Sequence, residues 1–303
     1  MIRRLLMMSD LGPTSVRAFA PLAALAKSLD DPEVILVHTV ESSAGLSFMD
    51  PFVIEQMDLL AQEQAIGPLD LQADQLREHG LRVKPLVVFG SPFSIVHEAF
   101  QRFRADLVVM PTDGHHSLLR RVSNSATARV IRDQEVPVLV VNGAMADARW
   151  TEFGPVVHPM SLNDEDDAGL QTAADLAVIT GAELHLVHVL RSPPTEDAYG
   201  SDPELSAAIE EGFAMWRDKV EAKLNGLATA MTRVRTKAVV LEHEHCGDGV
   251  IAYLNEVNAG SVVMPSLAHD SVHTKLMGSV AEHVLLAAPC PVLVFNRPLH
   301  ARD

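Results

Sequence analysis

Residues 105–142 read ADLVVMPTDGHHSLLRRVSNSATARVIRDQEVPVLVVN, and residues 259–296 read AGSVVMPSLAHDSVHTKLMGSVAEHVLLAAPCPVLVFN. Laid over each other without a gap, they agree at 14 of 38 positions. Each opens on a short β-branched apolar run, passes through a polar loop, and closes on a second apolar run. That is the pattern of strand, loop, helix and strand. Its recurrence makes the chain a tandem repeat, and everything upstream is read in pairs from here.

The pairing extends backwards. IRRLLMMSD (2–10) and GPVVHPMS (154–161) each precede a helical stretch, near 14–29 and 165–180. EVILVHTV (33–40) and AELHLVHVL (182–190) follow, with Val37-His38-Thr39-Val40 lying over Val187-His188-Val189-Leu190. Long helical stretches come next, 51–79 and 203–230. Apolar residues recur in them at three- and four-residue spacing: Phe52, Ile54, Met57, Leu60, and Phe213, Trp216, Val220, Leu224. Third strands (84–90, 236–244) and further helices (92–104, 248–258) complete the order β-α-β-α-β-α-β-α-β in each half. Strands alternating with amphipathic helices predict a parallel sheet covered on both faces, because parallel crossovers run through helices. The expected fold class is α/β, with two tandem doubly wound, Rossmann-like domains of five parallel strands each. The linker Gly143–Phe153 divides them into residues 1–146 and 150–303.

Composition removes several functions. The 303 residues are 48% hydrophobic and 21% charged, enough for two domains with proper cores. A formal charge of −16 and no Lys/Arg cluster argue against nucleic acid as a partner. The apolar run after Arg3-Arg4 stops at Ser9-Asp10, too short for a signal sequence or a membrane span. Two cysteines, Cys246 and Cys290, make no disulfide framework and suit a reducing compartment. These features together imply a cytoplasmic protein that does not enter membranes. The acid run Asn163-Asp164-Glu165-Asp166-Asp167 reads as a solvated helix N-terminus, with a cation site as the alternative.

The VVMP-type strand, the spacer leading to Asn124-Ser125 or Gly278-Ser279, and the closing VPVLVV or CPVLVF strand carry a resemblance. Each half resembles a universal stress protein domain, and nearly the whole chain resembles a tandem member of that family. Its nucleotide-binding members carry Gly-x2-Gly-x9-Gly-Ser/Thr after the strand and an aspartate ending the first strand. Glycines let backbone N–H groups approach phosphate without a Cβ in the way. The Gly-Ser pair opens a helix whose N–H groups favour an anion. The resemblance also implies that the closing strands 136–141 and 290–295, otherwise bare edges, pair with each other so that the halves pack edge to edge within one chain. A further homodimer is left open.

Mapped onto half one, the motif falls on Pro111, Gly114, Asn124 and Ser125, followed by Ala126 and Thr127. Asp10 takes the aspartate position, and Thr39 the place of a backbone contact to the base. Asn124 tolerates a left-handed backbone, whereas Pro111 removes a donor. On half two the motif falls on Pro265, Ala268, Gly278 and Ser279, with Ser161 at the aspartate position. The resemblance therefore implies an adenine nucleotide, ATP or AMP, in half one only. Two readings of the half-one loop stand: a nucleotide loop, and a degenerate connection in which Ser125 only caps a helix.

Nine of the 14 histidines lie in half two. His243 and His245 fall on one face of a strand end with Cys246 beside them, a spacing that suits zinc. His158, His269 or His273 would complete the shell; scattered polar histidines are the other reading. His38 and His188, at matching strand ends, read as hydrogen-bonded structural residues, and Cys290 as a buried small hydrophobe. No Gly-x-Ser-x-Gly elbow, Walker lysine or His-Glu-x-x-His is present. The expected function is a non-catalytic stress sensor or interaction module with an unidentified protein partner. The alternatives are a zinc-binding or ligand-free scaffold and a slow ATPase.

Overall fold

A computed structural model describes residues 2–41, 50–98, 102–112, 137–142, 153–162, 167–192, 203–265 and 279–295. Half one contains β1 (Arg4–Ser9), α1 (Pro13–Arg17), α2 (Phe19–Ala26), β2 (Glu33–Val40), α3 (Pro51–Glu78), β3 (Arg82–Phe89), α4 (Pro92–Glu98), β4 (Leu107–Thr112) and β5 (Val138–Asn142). Half two contains β6 (Val156–Pro159), α5 (Asp167–Thr180), β7 (Leu184–Arg191), α6 (Pro203–Ala230), β8 (Thr236–His243), α7 (Cys246–Glu256), β9 (Ser261–Pro265), α8 (Ser279–Ala287) and β10 (Val292–Phe295). The order anticipated from the sequence holds among the described residues, and the helix expected between β4 and β5 lies outside them. The expected helix over 14–29 is broken at Ala18 into α1 and α2.

The strands form one sheet in the order β3-β2-β1-β4-β5-β10-β9-β6-β7-β8. Pairing is parallel within each half. At the middle β5 and β10 run antiparallel, Val292 opposite Val140, Leu293 opposite Leu139 and Val294 opposite Val138. Leu139 and Leu293 occupy matching places in the repeat, so the join has the register of a local two-fold axis normal to the sheet. Edge-to-edge packing within one chain is thus realised, and it covers an edge that each half would otherwise expose.

Strand alternation splits the core into two layers. Leu5, Met7, Leu36, Val109, Leu139, Leu293 and Val263 face α2, α3, α5 and α6. Leu6, Met8, Val37, Val108, Val140, Val292 and Val262 face α4, α7 and α8. Each layer runs through the join, which makes the ten strands one packing unit.

The two long helices are packed along only part of their length. The 3–4 spacing of Phe52, Ile54, Met57 and Leu60 does mark a helix, but Phe52 is 67% exposed and Leu60 54%. In α3 burial begins only at Ala65 and continues through Leu69, Gln72, Ala73 and Leu76. In α6 only Val220 and Leu224 are buried, and Trp216 is exposed. A helix of this length spans about 42 Å at about 1.5 Å per residue, whereas an eight-residue strand spans about 26 Å, so over a third of it overhangs the sheet. Pro68 lies inside α3 on its exposed side, where the backbone carbonyl that its missing N–H leaves free can face solvent.

Half two also buries a polar cluster at the amino end of β7. His185, 4% exposed, accepts the Tyr253 hydroxyl proton on Nδ1 at 2.9 Å and donates from Nε2 to Glu183 at 3.3 Å. Burial lowers the His185 pKa below its ordinary 6.5, against the pull of Glu183. Burial also pushes the Tyr253 hydroxyl up to about 12, so it stays protonated. The unfolded chain takes up the His185 proton first as pH falls, and this contribution to stability is present above pH 6.5 and lost below it. Replacing the pair with His185→Ile and Tyr253→Phe is expected to reduce the drop in Tm between pH 7.5 and 5.5 relative to wild type, as followed by circular dichroism. An unchanged drop would remove His185 from the acid response.

Candidate functional site

In the strand order 3-2-1-4-5, the chain winds outward from β1 in both directions, so the carboxyl ends of β1 and β4 part at a switch point. Doubly wound sheets hold ligands in that crevice. Asp10 follows β1 there, and Thr39 lies on β2 one rung beyond the Ser9–His38 pairing. Pro111 is the penultimate residue of β4. The structure therefore brings Asp10, Thr39 and Pro111 to one end of the sheet. Gly114, Asn124, Ser125, Ala126 and Thr127 lie outside the described residues.

The proline has a physical explanation. The last rung between β1 and β4 pairs Met7 with Val109, whereas β4 and β5 stay paired through Thr112. Pro111 stands past the last β1 rung, where the ladder no longer asks for its N–H. Pro265 stands in the same place, past the Val157–Val262 rung of β6 and β9. Both prolines are compatible with central strands because the sheet is already splitting open.

Asp10 sits in a tight turn. Its carboxylate Oδ1 accepts the Gly12 N–H at 2.8 Å and the Ser15 hydroxyl proton. His38 Nδ1 donates to Ser9 O at 2.8 Å, and His188 Nδ1 to Met160 O at 2.7 Å. These histidines are the structural clamps their recurrence suggests, each tying the second strand to the end of the first.

At the carboxyl end of half two, Arg191, His245, Cys246, Gly247, Asp248, Ser279, Val280 and His283 line a cavity of about 360 Å³. His283 donates from Nε2 to Asp248 Oδ1 at 2.7 Å. Gly247 makes room for that ring, because a Cβ there would lie 2.7 Å from His283 Cδ2. Neither Asp248 nor His283 stood out in the sequence; the signal was the pair of glycines in Cys246-Gly247-Asp248-Gly249.

Several of the side chains singled out for zinc meet other groups. His243 Nδ1 accepts the His245 N–H at 3.1 Å, and Cys246 Sγ points to Val189 O at 3.9 Å. His158 is fully buried and donates from Nδ1 to Val263 O at 2.9 Å, inside the sheet. Among the described residues no three His, Cys, Asp or Glu side chains converge on a metal position. His269 and His273 lie outside the described residues. Cys290 is 1% exposed, and burial pushes its thiol pKa strongly up, as suits an inert core residue.

Comparison with known proteins follows the same division. The sequence profile of the universal stress protein family matches residues 1–142 and 152–296. Universal stress protein Rv2005c of Mycobacterium tuberculosis is 24% identical over 219 residues, covering 71% of this chain and 69% of its own. Universal stress protein MJ0531 of Methanocaldococcus jannaschii is 27% identical over 139 residues, 46% of this chain and 81% of its own. Among solved structures, a universal stress protein from Archaeoglobus fulgidus superposes with a TM-score of 0.64 at 20% identity, covering 97% of this chain and 98% of that one. One from Pseudomonas aeruginosa, described as a putative universal stress protein, gives 0.57 at 18% identity over 97% and 93%. These likenesses concern the fold.

Proposed function

This chain belongs to the universal stress protein family, and on that premise we propose that it is a non-catalytic cytoplasmic stress-response module whose first half holds an adenine nucleotide, ATP or AMP. The observation that carries the reading is Asp10, an exposed carboxylate anchored on one oxygen at the β1/β4 switch point. Thr39 and Pro111 share that end of the sheet, and the reading assigns the phosphates to Gly114, Asn124, Ser125, Ala126 and Thr127. Half two offers Ser161 and Pro265 at the matching places, with a hydroxyl where half one has the Asp10 carboxylate. The same proposal divides the chain into residues 1–146 and 150–303 and involves neither zinc nor nucleic acid. Among the described residues no helix is long and apolar enough to cross a membrane.

Ligand binding to the native state raises Tm by mass action, and ATP at about tenfold excess over Kd adds about 1.4 kcal/mol. Wild-type protein is expected to gain roughly 3–6 °C with millimolar ATP or AMP, given about 2–4 °C per kcal/mol for domains of this size. Asp10→Ala is expected to lose most of that gain while keeping its unliganded Tm within a few degrees. No shift for wild type at millimolar nucleotide would refute the proposal and favour a ligand-free scaffold. Incubation with ATP and Mg²⁺ separates binding from turnover; release of ADP or AMP at a rate abolished by Asp10→Ala would make the module a slow ATPase.

A further inference from the structure

The turn that carries Asp10 has a counterpart in half two, and the two are held by different chemistry. Leu11 and Leu162 both lie at φ 61°, a left-handed conformation that costs a branched residue about 1–2 kcal/mol. In half two the ammonium of Lys223, on α6, donates to Leu162 O at 2.7 Å. In half one the long helix reaches the turn through Gln72. Ser9 Oγ donates to Gln72 Oε1 at 2.6 Å and accepts the Leu11 N–H at 3.0 Å. Both halves can therefore make the turn, and in half one the described side chains around it are neutral polar groups and a carboxylate.

Those side chains are placed at a cost. Gln72 is 5% exposed in a helical stripe otherwise made of Ala65, Leu69, Ala73 and Leu76. Ser15 is fully buried; it accepts the Asp10 N–H at 2.9 Å and returns its own proton to Asp10 Oδ1. Buried polar groups stabilise only when satisfied, and an apolar stripe would pack the sheet equally well. Gly12 contributes space. Its φ of −97° and ψ of 179° are open to any residue, yet a Cβ there would stand 3.3–3.4 Å from the carboxylate atoms of Asp10. Both hydrogen bonds described for the carboxylate go to Oδ1, which leaves Oδ2 to a ligand in the crevice.

The geometry points to Ser15 and Gln72 as positioning residues that act on the ligand through Asp10. Ser15 fixes which carboxylate oxygen turns outward, and Gln72, through Ser9, fixes the turn on which the carboxylate stands. This rests on the nucleotide reading of half one, and at the matching position of half two Ser161 replaces the acid.

The test is calorimetric titration of ATP into wild type, Ser15→Ala, Asp10→Ala and the Ser15→Ala/Asp10→Ala double variant. Ser15→Ala is expected to weaken binding about tenfold, the size of one lost hydrogen bond. The double variant is expected to bind no more weakly than Asp10→Ala alone, since residues acting through one group are non-additive. Gln72→Met, of similar volume, is a second variant expected to give the same pattern against Asp10→Ala. Wild-type affinity in Ser15→Ala and Gln72→Met, or losses that multiply in the double variants, would overturn the inference and leave the nucleotide reading intact. Absence of ATP binding by wild type itself would overturn both.

Discussion

Leu293→Asp is expected to abolish cooperative folding. Leu293 is 1% exposed and lies opposite Leu139, 3% exposed, at the pivot of the antiparallel join between β5 and β10. The substitution removes a buried leucine, which costs about 2–5 kcal/mol by itself. It also introduces a carboxylate into an apolar layer containing Leu139, Val141, Val263 and Phe295. An unpaired buried charge adds several kcal/mol, so the sum matches the entire stability of a typical native protein, about 5–15 kcal/mol. Thermal and urea melts of Leu293→Asp should show no sharp transition, while Leu293→Met, a volume-conserving control, should cost less than about 1.5 kcal/mol. A Leu293→Asp protein melting cooperatively within a few degrees of wild type would show that the two halves are stable without their join.

The second large effect is expected at Gly260. Gly154 and Gly260 bring the entries of β6 and β9 into backbone contact, and Gly260 N–H donates to Pro155 O at 2.9 Å. A Cβ at Gly260 would lie 2.5 Å from Gly154 O and 2.7 Å from Gly154 N, and one at Gly154 would lie 2.2 Å from Asn258 O. These neighbours are backbone, so no rotamer change relieves the overlap; the strands must separate. Gly260→Ala is therefore expected to destabilise by about 3 kcal/mol or more, comparable to overpacking at its upper end. Gly181→Ala has open space around its Cβ, at φ 65°, and serves as a control for strain without overlap. Urea unfolding of the two variants side by side checks this, and a Gly260→Ala loss no greater than that of Gly181→Ala would refute the close-contact account.

Half one solves the same problem differently. The residues matching Gly154 and Gly260 are Arg3 and Asp106, and the Asp106 carboxylate accepts the N–H groups of Arg3 and Arg4 at 2.8 and 2.9 Å. One half closes the strand entries with a side chain, and the other closes them by bare backbone contact. An alignment of the two halves shows only a mismatch at these positions.

Much of the architecture was legible before any coordinates. The succession of strands and crossover helices follows from local apolar periods and from one strong internal repeat, and the join at 136–141 and 290–295 was implied by the family resemblance. Of the candidate site, Asp10, Thr39 and Pro111 do meet at one sheet end. The stripe at Phe52, Met57 and Leu60 marks a helix but is exposed, because periodicity reports a helix face and not what lies against it. For the triplet His243, His245 and Cys246, spacing along the chain could not show that His243 Nδ1 accepts the neighbouring His245 N–H.

By itself, then, the sequence determined the class, the duplication and the positions of the strand ends, because hydrophobic period and turn residues are properties of neighbours along the chain. Only the tertiary structure decided how each strand end is held: Gln72 against Lys223, Ser15 beneath Asp10, Asp106 against the contact of Gly154 with Gly260. Most of these partners lie tens of residues apart or more, and Ser15 meets Asp10 only because the chain turns back at Leu11. Hydrogen bonds and close packing act over a few ångströms of space, and neither depends on the number of residues between the groups.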